Sequence, residues 1–195
     1  MSPTTVADTP IAVLFVQGAG EHAHAADEAL ADALARELGD RFQVVFPRLP
    51  READPDKVTW NRTIAAEARR ARAAAVVAHS AGATHVADML AEGRRGELPA
   101  ARAMFLLAPP FIGPGGWAFE GFHLDHPTSR QALGGLPLHF YFGADDTTVP
   151  PAHAALYEGV FPDASFHRLQ HCDHQFDGHL RRVAQDIRSA VDATA

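Results

Sequence analysis

Six short apolar runs, often rich in β-branched residues, recur along the chain. The first covers residues 11–16 with the sequence IAVLFV and stops at Gly18-Ala19-Gly20. Runs that are apolar on both faces are typical of buried parallel strands, whereas a half-exposed strand would alternate apolar and polar residues. The pattern predicts strands at residues 11–16, 42–46, 74–78, 103–108, 138–142 and, from a weaker signal, 165–169.

Helical periodicity fills the intervals between these runs. The predicted helices cover residues 25–38, 60–72, 83–92, 152–159 and 175–191. Strands that alternate with helices are joined by right-handed crossovers and form a parallel sheet with helices on both faces. The sequence therefore predicts one α/β domain over residues 11–195, with a mostly parallel sheet of about six strands. Residues 1–10 are expected to be flexible.

Residues 109–129 fit neither period. This segment, PPFIGPGGWAFEGFHLDHPTS, is rich in glycine and aromatic residues and follows a predicted strand. Long irregular loops at the carboxyl end of a strand are usually functional. It is the one segment available to cover a site, so the sequence predicts a minimal lid.

Charge and composition exclude several classes of function. The chain of 195 residues has 17 basic and 24 acidic side chains, for a net charge of −7. Such a chain has no cationic surplus to displace counterions from nucleic acid, so no nucleic-acid partner is expected. No apolar run approaches the roughly 20 residues that span a bilayer, so no membrane association is expected. The first residues lack a signal-peptide pattern and the chain has one cysteine, which together predict a cytoplasmic protein.

The most informative local motif is AHSAG at residues 78–82. A predicted strand runs into Ser80 and then directly into a helix, which is the arrangement of the nucleophile elbow. Small residues two before and two after the nucleophile let strand and helix approach, and here these are Ala78 and Gly82. A serine at this place is also compatible with an ordinary helix N-cap.

Two further polar residues follow later strands, in a chain order that points to a catalytic triad. Asp146 comes after the fifth predicted strand and His174 after the sixth. Serine, aspartate, histidine is the chain order of the catalytic triad in α/β-hydrolases, with each residue at the carboxyl end of a strand. A serine needs a base, and the base needs a carboxylate to orient it. Taken singly, Asp146 could be a turn aspartate and His174 a residue at a helix entry.

These motifs together give the chain a family resemblance. It resembles the α/β-hydrolases, and more narrowly the small serine hydrolases of the YdeN and retinoblastoma-binding-protein-nine type. The resemblance rests on FVQGAG, FPRLPREADPDKVTW, AHSAG, LLAPPF, FGADDTTVP and HCDHQF, in that order along the chain. It implies an α/β-hydrolase fold and hydrolysis of a carboxylic ester or related acyl bond by Ser80, Asp146 and His174.

The family pattern also separates two neighbouring aspartates. In GxxDxxVP, Gly143, Asp146 and Val149 satisfy both intervals, which leaves Asp145 as the neighbour. The chain departs from the pattern in having Ala78 for the first elbow glycine, Gln17 where many relatives have histidine, and no glycine directly before His174.

Acyl transfer also requires donors for the oxyanion of the tetrahedral intermediate. The Ala81 N–H directly follows the predicted nucleophile, and the resemblance implies the Ala19 N–H as the second donor. The rival interpretation of the loop at 18–20 is a dinucleotide site. It is not favoured, because the third glycine of GxGxxG would fall at Ala23 and no acidic residue ends the second predicted strand. No cofactor is predicted.

Twelve histidines make a metal-dependent hydrolase the natural rival enzyme. The candidate ligands are His22 with His24, and a later cluster of His171, Asp173, His174 and His179. The first pair is not followed by a nearby Asp-His pair, and Leu169 stands where the second cluster would need a histidine, so no metal site is predicted. Cys172 lies outside the elbow and is predicted to be a small buried filler.

The aromatic residues of the loop at 109–129 are candidates for substrate contact. Phe111, Trp117, Phe119 and Phe122 form a predicted acyl wall, and the glycines between them let the loop fold over the site. The competing interpretation is a hydrophobic plug that only completes the core. The function expected from the sequence is hydrolysis of a small acyl substrate, and the alternative is an interaction protein that keeps the fold without catalysis.

Overall fold

A computed structural model describes residues 9–119, 121–122, 124 and 126–193. Its sheet has six strands in the order β2-β1-β3-β4-β5-β6, and every pairing between them is parallel. The strands are β1 (Ile11–Val16), β2 (Phe42–Val45), β3 (Ala75–His79), β4 (Ala103–Leu107), β5 (Leu138–Gly143) and β6 (Ser165–Leu169). The predicted α/β architecture is confirmed, and each strand lies within one or two residues of its predicted bounds. The predicted flexible segment at residues 1–10 lies almost wholly outside the described residues.

Among the described residues, five α-helices cover the sheet. They are α1 (Ala23–Leu38), α2 (Lys57–Ala71), α3 (Ser80–Ala91), α4 (His153–Val160) and α5 (Leu180–Asp192). The second begins three residues before its predicted start, because Asp56 caps it by accepting a hydrogen bond from the Thr59 N–H at 2.8 Å.

The prediction for the last helix was wrong at its start by five residues. Residues 175–179 form turns instead, because Phe176 and Gly178 both have positive φ, at 55° and 74°. The Phe176 side chain is fully buried on the α5 side of the sheet, so the tertiary structure holds the backbone in a conformation that helical periodicity does not reveal.

Helices pack on both faces of the sheet, as predicted. One apolar cluster joins α2, α3 and α4 to alternate strand residues such as Val76 and Phe140, and the other joins α1 and α5 to residues such as Val77 and Tyr141. The central strands β3 and β4 are entirely buried, which explains why they lack polar alternation in the sequence.

Parallel pairing brings the carboxyl ends of all six strands to one edge of the sheet. Close backbone packing defines this edge: a Cβ atom at Gly82 would lie 2.2 Å from the Gln17 carbonyl oxygen. Only glycine therefore allows α3 to pass so near the end of β1. Within the described residues, no helix has the length and apolarity needed to cross a membrane.

Candidate active site

Ser80 lies at the sharp turn between β3 and α3. Its φ of 51° is in the left-handed region, where a non-glycine residue costs of the order of 1–3 kcal/mol unless the surrounding structure imposes it. Gly82 removes the clash with β1, whereas Ala78 is fully buried in the apolar core, so a methyl group fits where the usual motif has glycine. The packing around the turn therefore holds Ser80 in this strained conformation at the carboxyl end of the sheet.

The structure brings Ser80, His174 and Asp146 together. The His174 Nε2 atom lies 3.1 Å from the Ser80 Oγ, and its Nδ1 atom lies 2.8 Å from the Asp146 Oδ2. The His174 side chain is 13% exposed and that of Asp146 is 1% exposed. Ser80 therefore has a base within hydrogen-bonding distance, and that base has a carboxylate on its other nitrogen.

The second oxygen of Asp146 is also fully engaged. It accepts hydrogen bonds from the backbone N–H groups of Thr148 and Val149, both at 2.8 Å. Burial alone would raise the pKa of Asp146, but the bonds from His174 and the two amides outweigh it and leave this pKa below its ordinary value. The group therefore stays ionised and can orient an imidazole.

Asp145 points elsewhere. Its side chain is 64% exposed and lies 4.0 Å from the exposed His171. Its backbone N–H donates to the Cys172 carbonyl at 3.0 Å, which joins the loop after β5 to the loop that carries His174. Of the two neighbouring carboxylates, Asp146 is the one that faces His174.

Cys172 is buried beside this loop junction. Burial raises the pKa of its thiol to about 12, and its Sγ lies 3.5 Å from the Asp173 carbonyl. A thiol with so high a pKa is not a nucleophile near neutral pH.

The two backbone groups expected to face an oxyanion border the same cavity as Ser80. Ala81 is in the first turn of α3, where N–H groups have no partner within the helix. Ala19 belongs to the loop after β1 and lines the cavity together with Ser80 and Ala81. Both backbone positions therefore border the cavity that Ser80 lines.

Gln17 anchors this loop from one side. It is fully buried, its Nε2 donates to the Glu52 Oε2 at 3.0 Å, and its Oε1 accepts from the Leu49 N–H at 2.8 Å. Hydrogen bonds from the His24 N–H and Gln17 lower the pKa of Glu52 to about 2, so it remains an acceptor. Gln17, a departure from the family pattern, thus ties the loop after β1 to the loop after β2.

A second anchor was missed by the sequence reasoning. Asp27 and His79 are each 2% exposed, and the His79 Nδ1 lies 2.9 Å from the Asp27 Oδ1. One signal could have revealed the pair, because Asp27 occupies the buried stripe of α1 with Leu30, Ala31 and Leu34 at helical spacing. A carboxylate on an apolar stripe needs a buried partner.

A cavity of about 420 Å³ lies above Ser80. Its aromatic lining comes from Trp117, Phe119 and Phe122, three members of the predicted acyl wall. Trp117 is 37% exposed and Phe119 is 66% exposed, so both retain surface that a ligand could cover.

Phe111, the fourth predicted member, does not line this cavity. It is 3% exposed and packs edge-on against Tyr157, with ring centroids 5.1 Å apart. The loop folds back tightly here: the Trp117 N–H donates to the Phe111 carbonyl, and a Cβ at Gly116 would lie 2.3 Å from that oxygen. This turn separates Phe111, which completes the core, from the residues that follow it.

A buried histidine in the lining of the cavity was also missed by the sequence reasoning. His85 lines it, and its Nδ1 lies 2.8 Å from the Oδ1 of Asn61, a fully buried residue. Burial, helped by the charge of Lys57, lowers the pKa of His85 to about 4. This imidazole is therefore neutral at neutral pH.

Neither histidine cluster considered from the sequence assembles into a ligand set. Within the described residues, three candidate ligand atoms converge at His139, His167 and Asp186, beside α5. The Asp186 Oδ2 already accepts hydrogen bonds from the Tyr141 hydroxyl at 2.8 Å and the Arg182 Nε at 2.7 Å. Its charge is thus neutralised by a guanidinium, and no part of this group borders the cavity at Ser80.

Solved structures with similar folds are numerous and distant in sequence. The chain is similar to the esterase domain of a Rhodothermus marinus protein, with 17% identity, a TM-score of 0.58, and coverage of 94% of this chain and 88% of that one. It is also similar to Est1E from Butyrivibrio proteoclasticus with bound ferulic acid, with 14% identity, a TM-score of 0.65, and coverage of 97% and 91%.

A third similar structure is an α/β hydrolase enzyme from the metagenome of lagoon sediments at Mar Chica, Morocco. It shares 13% identity and a TM-score of 0.65, with coverage of 95% of this chain and 92% of that one. At these identities the likeness establishes the α/β-hydrolase fold. No curated protein matches the sequence significantly.

The family itself is established by sequence. A family model described as serine hydrolase matches residues 25–180, which is well over half of the chain. The narrower resemblance to the YdeN and retinoblastoma-binding-protein-nine type stays a prediction. With the fold and the family model in agreement, the chain belongs to the serine hydrolase family and is a hydrolase of the α/β-hydrolase fold.

Proposed function

We propose that the protein hydrolyses short carboxylic esters through a triad of Ser80, His174 and Asp146. One observation carries the proposal: an unbroken chain of hydrogen bonds runs from the Asp146 carboxylate through His174 to the Ser80 Oγ, directly beneath an open cavity. A serine hydroxyl is a weak nucleophile until a base removes its proton, and this chain supplies that base.

The proposed reaction has two halves. The Ser80 Oγ attacks the carbonyl carbon while the His174 Nε2 takes the hydroxyl proton, and the imidazolium is stabilised by ionised Asp146. Collapse of the tetrahedral intermediate expels the alcohol, which takes that proton and leaves an acyl-enzyme. Water then attacks the acyl group with His174 again as base, and the proton returns to Ser80 as the acid departs.

The Ala81 and Ala19 N–H groups are the proposed oxyanion donors. Such groups stabilise charge that develops only as the tetrahedral intermediate forms, so they favour the transition state over the bound ester. The loop after β1 is fixed by Gln17 and Glu52, which supports a donor that is already in place before substrate arrives.

A pocket walled by a single aromatic loop favours a short acyl chain. Trp117, Phe119 and Phe122 are the proposed acyl contacts, and each methylene buried against them adds about 0.8 kcal/mol until the wall is reached. We expect kcat/KM for nitrophenyl esters to rise over the first few carbons from acetate and then to fall, without a jump when the ester forms micelles. A maximum at palmitate would contradict the short-chain proposal.

Covalent labelling tests the triad directly. Intact-mass measurement after treatment with a fluorophosphonate should show one added phosphonyl group on the wild-type chain and none on Ser80→Ala. An unlabelled wild-type protein would instead favour an interaction protein that keeps the hydrolase fold. Labelling that persists in Ser80→Ala would place the nucleophile elsewhere.

A further inference from the structure

We propose that Asp27 and His79 are positioning residues that hold two loops in place against Ser80. These are the oxyanion loop, which follows β1 and carries Ala19, and the loop that carries His174. The inference rests on the proposed function, because it assigns these residues a role in the same reaction. Neither touches the cavity, so their effect would pass through the backbone that they bind.

Hydrogen bonds connect the pair to both loops. At one end, the Asp27 Oδ2 accepts from the Gly18 N–H at 2.7 Å, and Gly18 directly precedes the proposed oxyanion donor Ala19. At the other end, the His79 Nε2 lies 2.9 Å from the carbonyl oxygen of His174 itself. The two ends are joined within the pair at 2.9 Å, between Asp27 Oδ1 and His79 Nδ1.

The partner of the His79 Nε2 fixes the role of that nitrogen. A carbonyl oxygen can only accept a hydrogen bond, so the Nε2–H donates to His174, while the Nδ1 lies against the Asp27 carboxyl group. One proton joins Asp27 to the His79 Nδ1 whichever of the two carries it, so the connection from Gly18 to His174 is unbroken. Both side chains are 2% exposed, so little solvent competes for these bonds.

The pair lies close to the proposed reacting groups, so a shift of either residue would move them. His79 is the residue before Ser80, and its ring centroid lies 4.8 Å from that of His174. A Cβ at Gly18 would lie 3.1 Å from the Ser80 Cβ, so the oxyanion loop and the nucleophile are already in close contact. A displacement of about 1 Å in groups this near the reacting atoms can lower the rate about 100-fold.

The test uses variants that leave no unpaired buried charge. Asp27→Asn is the conservative variant: its oxygen can still accept from Gly18, its amide can donate to the His79 Nδ1, and a neutral His79 can still donate from Nε2 to His174. The double variant Asp27→Asn/His79→Phe keeps the Gly18 bond but removes the donor to the His174 carbonyl. An apolar ring can replace an imidazole in this buried site without leaving a charge behind.

The readouts are kcat and KM for a short nitrophenyl ester, and the rate of fluorophosphonate labelling. For Asp27→Asn we expect a kcat within about 3-fold of wild type, and for the double variant a kcat and labelling rate lower by about 30-fold or more with KM within about 2-fold. Thermal unfolding tests whether both variants are folded. A folded double variant with wild-type kcat would overturn the inference, as would a loss confined to KM.

A measurement on the wild-type protein covers the case in which the double variant does not fold. Nitrogen-15 NMR of histidine side chains should show the His79 Nε2 protonated at neutral pH both in wild type and in Asp27→Asn, as its bond to the His174 carbonyl requires. A His79 Nε2 without a proton in wild type would overturn the inference. Absence of labelling and turnover in wild type would instead refute the proposed function, and the two failures are thereby distinguished.

Discussion

Two carboxylate–histidine pairs lie side by side in this molecule, with histidine ring centroids 4.8 Å apart. They are nearly alike in the contact between aspartate and imidazole. In each, a buried aspartate meets a histidine Nδ1, at 2.8 Å for Asp146 with His174 and 2.9 Å for Asp27 with His79. Each aspartate also accepts hydrogen bonds from the backbone, from one N–H group for Asp27 and from two for Asp146. The pairs differ at Nε2, which faces the Ser80 hydroxyl in one case and a carbonyl oxygen in the other.

In the proposed reaction, that difference separates proton transfer from structural support. A hydroxyl both donates and accepts, so the His174 Nε2 can take a proton from it, whereas a carbonyl oxygen only accepts and so keeps the His79 Nε2 a donor. The group that faces Nε2 therefore decides what a carboxylate–histidine pair can do. The same two side chains can act as a general base or as a structural support.

Removal of Ser80, the partner of the His174 Nε2, or of His174 itself should have the largest effect. Ser80→Ala and His174→Ala should each lower kcat by roughly 10⁴- to 10⁶-fold, and the double variant should lose little more, because the two residues act as a unit. Steady-state kinetics with a short nitrophenyl ester measures this. Ser189→Ala, an exposed position on α5, is the matched control and should match wild type. Turnover near the wild-type rate in Ser80→Ala would exclude the proposed nucleophile.

Neutralising the aspartate at Nδ1 should have a severe effect for Asp146, nearly as large as the loss of Ser80, and a mild effect for Asp27. Asp146→Asn should lower kcat by about 10⁴-fold, because the amide favours the wrong tautomer of His174. Asp145→Asn, one residue away with an exposed side chain, is the control and should stay within about 2-fold of wild type. If Asp145→Asn were the inactive variant, the wrong carboxylate would have been chosen.

A third imidazole extends the comparison, because the His85 Nδ1 faces the amide of Asn61 and no carboxylate. Its pKa of about 4 in the folded protein lies below the ordinary 6.5, so between these pH values the unfolded chain binds the proton more tightly. Stability due to neutral His85 is present above about pH 6.5 and should fall by up to about 3 kcal/mol as the pH drops toward 4.

Denaturant unfolding as a function of pH measures this loss. In His85→Gln the free energy of unfolding should depend less on pH over that window, by as much as about 1.4 kcal/mol per pH unit. His171→Gln is the control, since the His171 side chain is 92% exposed, and its pH dependence should match wild type. Equal pH dependence in His85→Gln and wild type would show that His85 is not held neutral.

The smallest expected effect comes from the aromatic lining of the cavity. Trp117→Ala should change the ranking of acyl chain lengths, by several-fold in kcat/KM between short and medium esters, because it removes a half-exposed face of the cavity. The control is Phe111→Leu, in the core beside it, which should lower thermal stability and leave the ranking intact. A uniform loss of stability in Trp117→Ala with unchanged ranking would identify Trp117 as packing only.

What the sequence could predict depends on how local each signal is. The strands and the turn at Ser80 are specified by consecutive residues, so the apolar runs and AHSAG were enough to locate them. Asp146 and His174 could be found because each directly follows a strand, and parallel topology brings strand ends together.

The remaining features depend on contacts between distant residues. Asp27 and His79 are 52 positions apart, and nothing near either one indicates the other. Gln17 and Glu52 are 35 positions apart and likewise meet only after two loops have folded. Phe111 was grouped with the cavity residues because composition cannot show that the backbone reverses at Gly116 and directs the two ends of the loop to different places.

Gly143 has a consequence for how such an enzyme can diversify. A Cβ there would lie 2.3 Å from the Cys172 carbonyl oxygen, so the end of β5, just before Asp146, and the loop that carries His174 touch through their main chains. Because main-chain atoms make this contact, neighbouring side chains can vary with little effect on the distance between Asp146 and His174. In the proposed function, substrate specificity depends instead on the separate aromatic loop of Trp117 and Phe119, which could change without altering this contact.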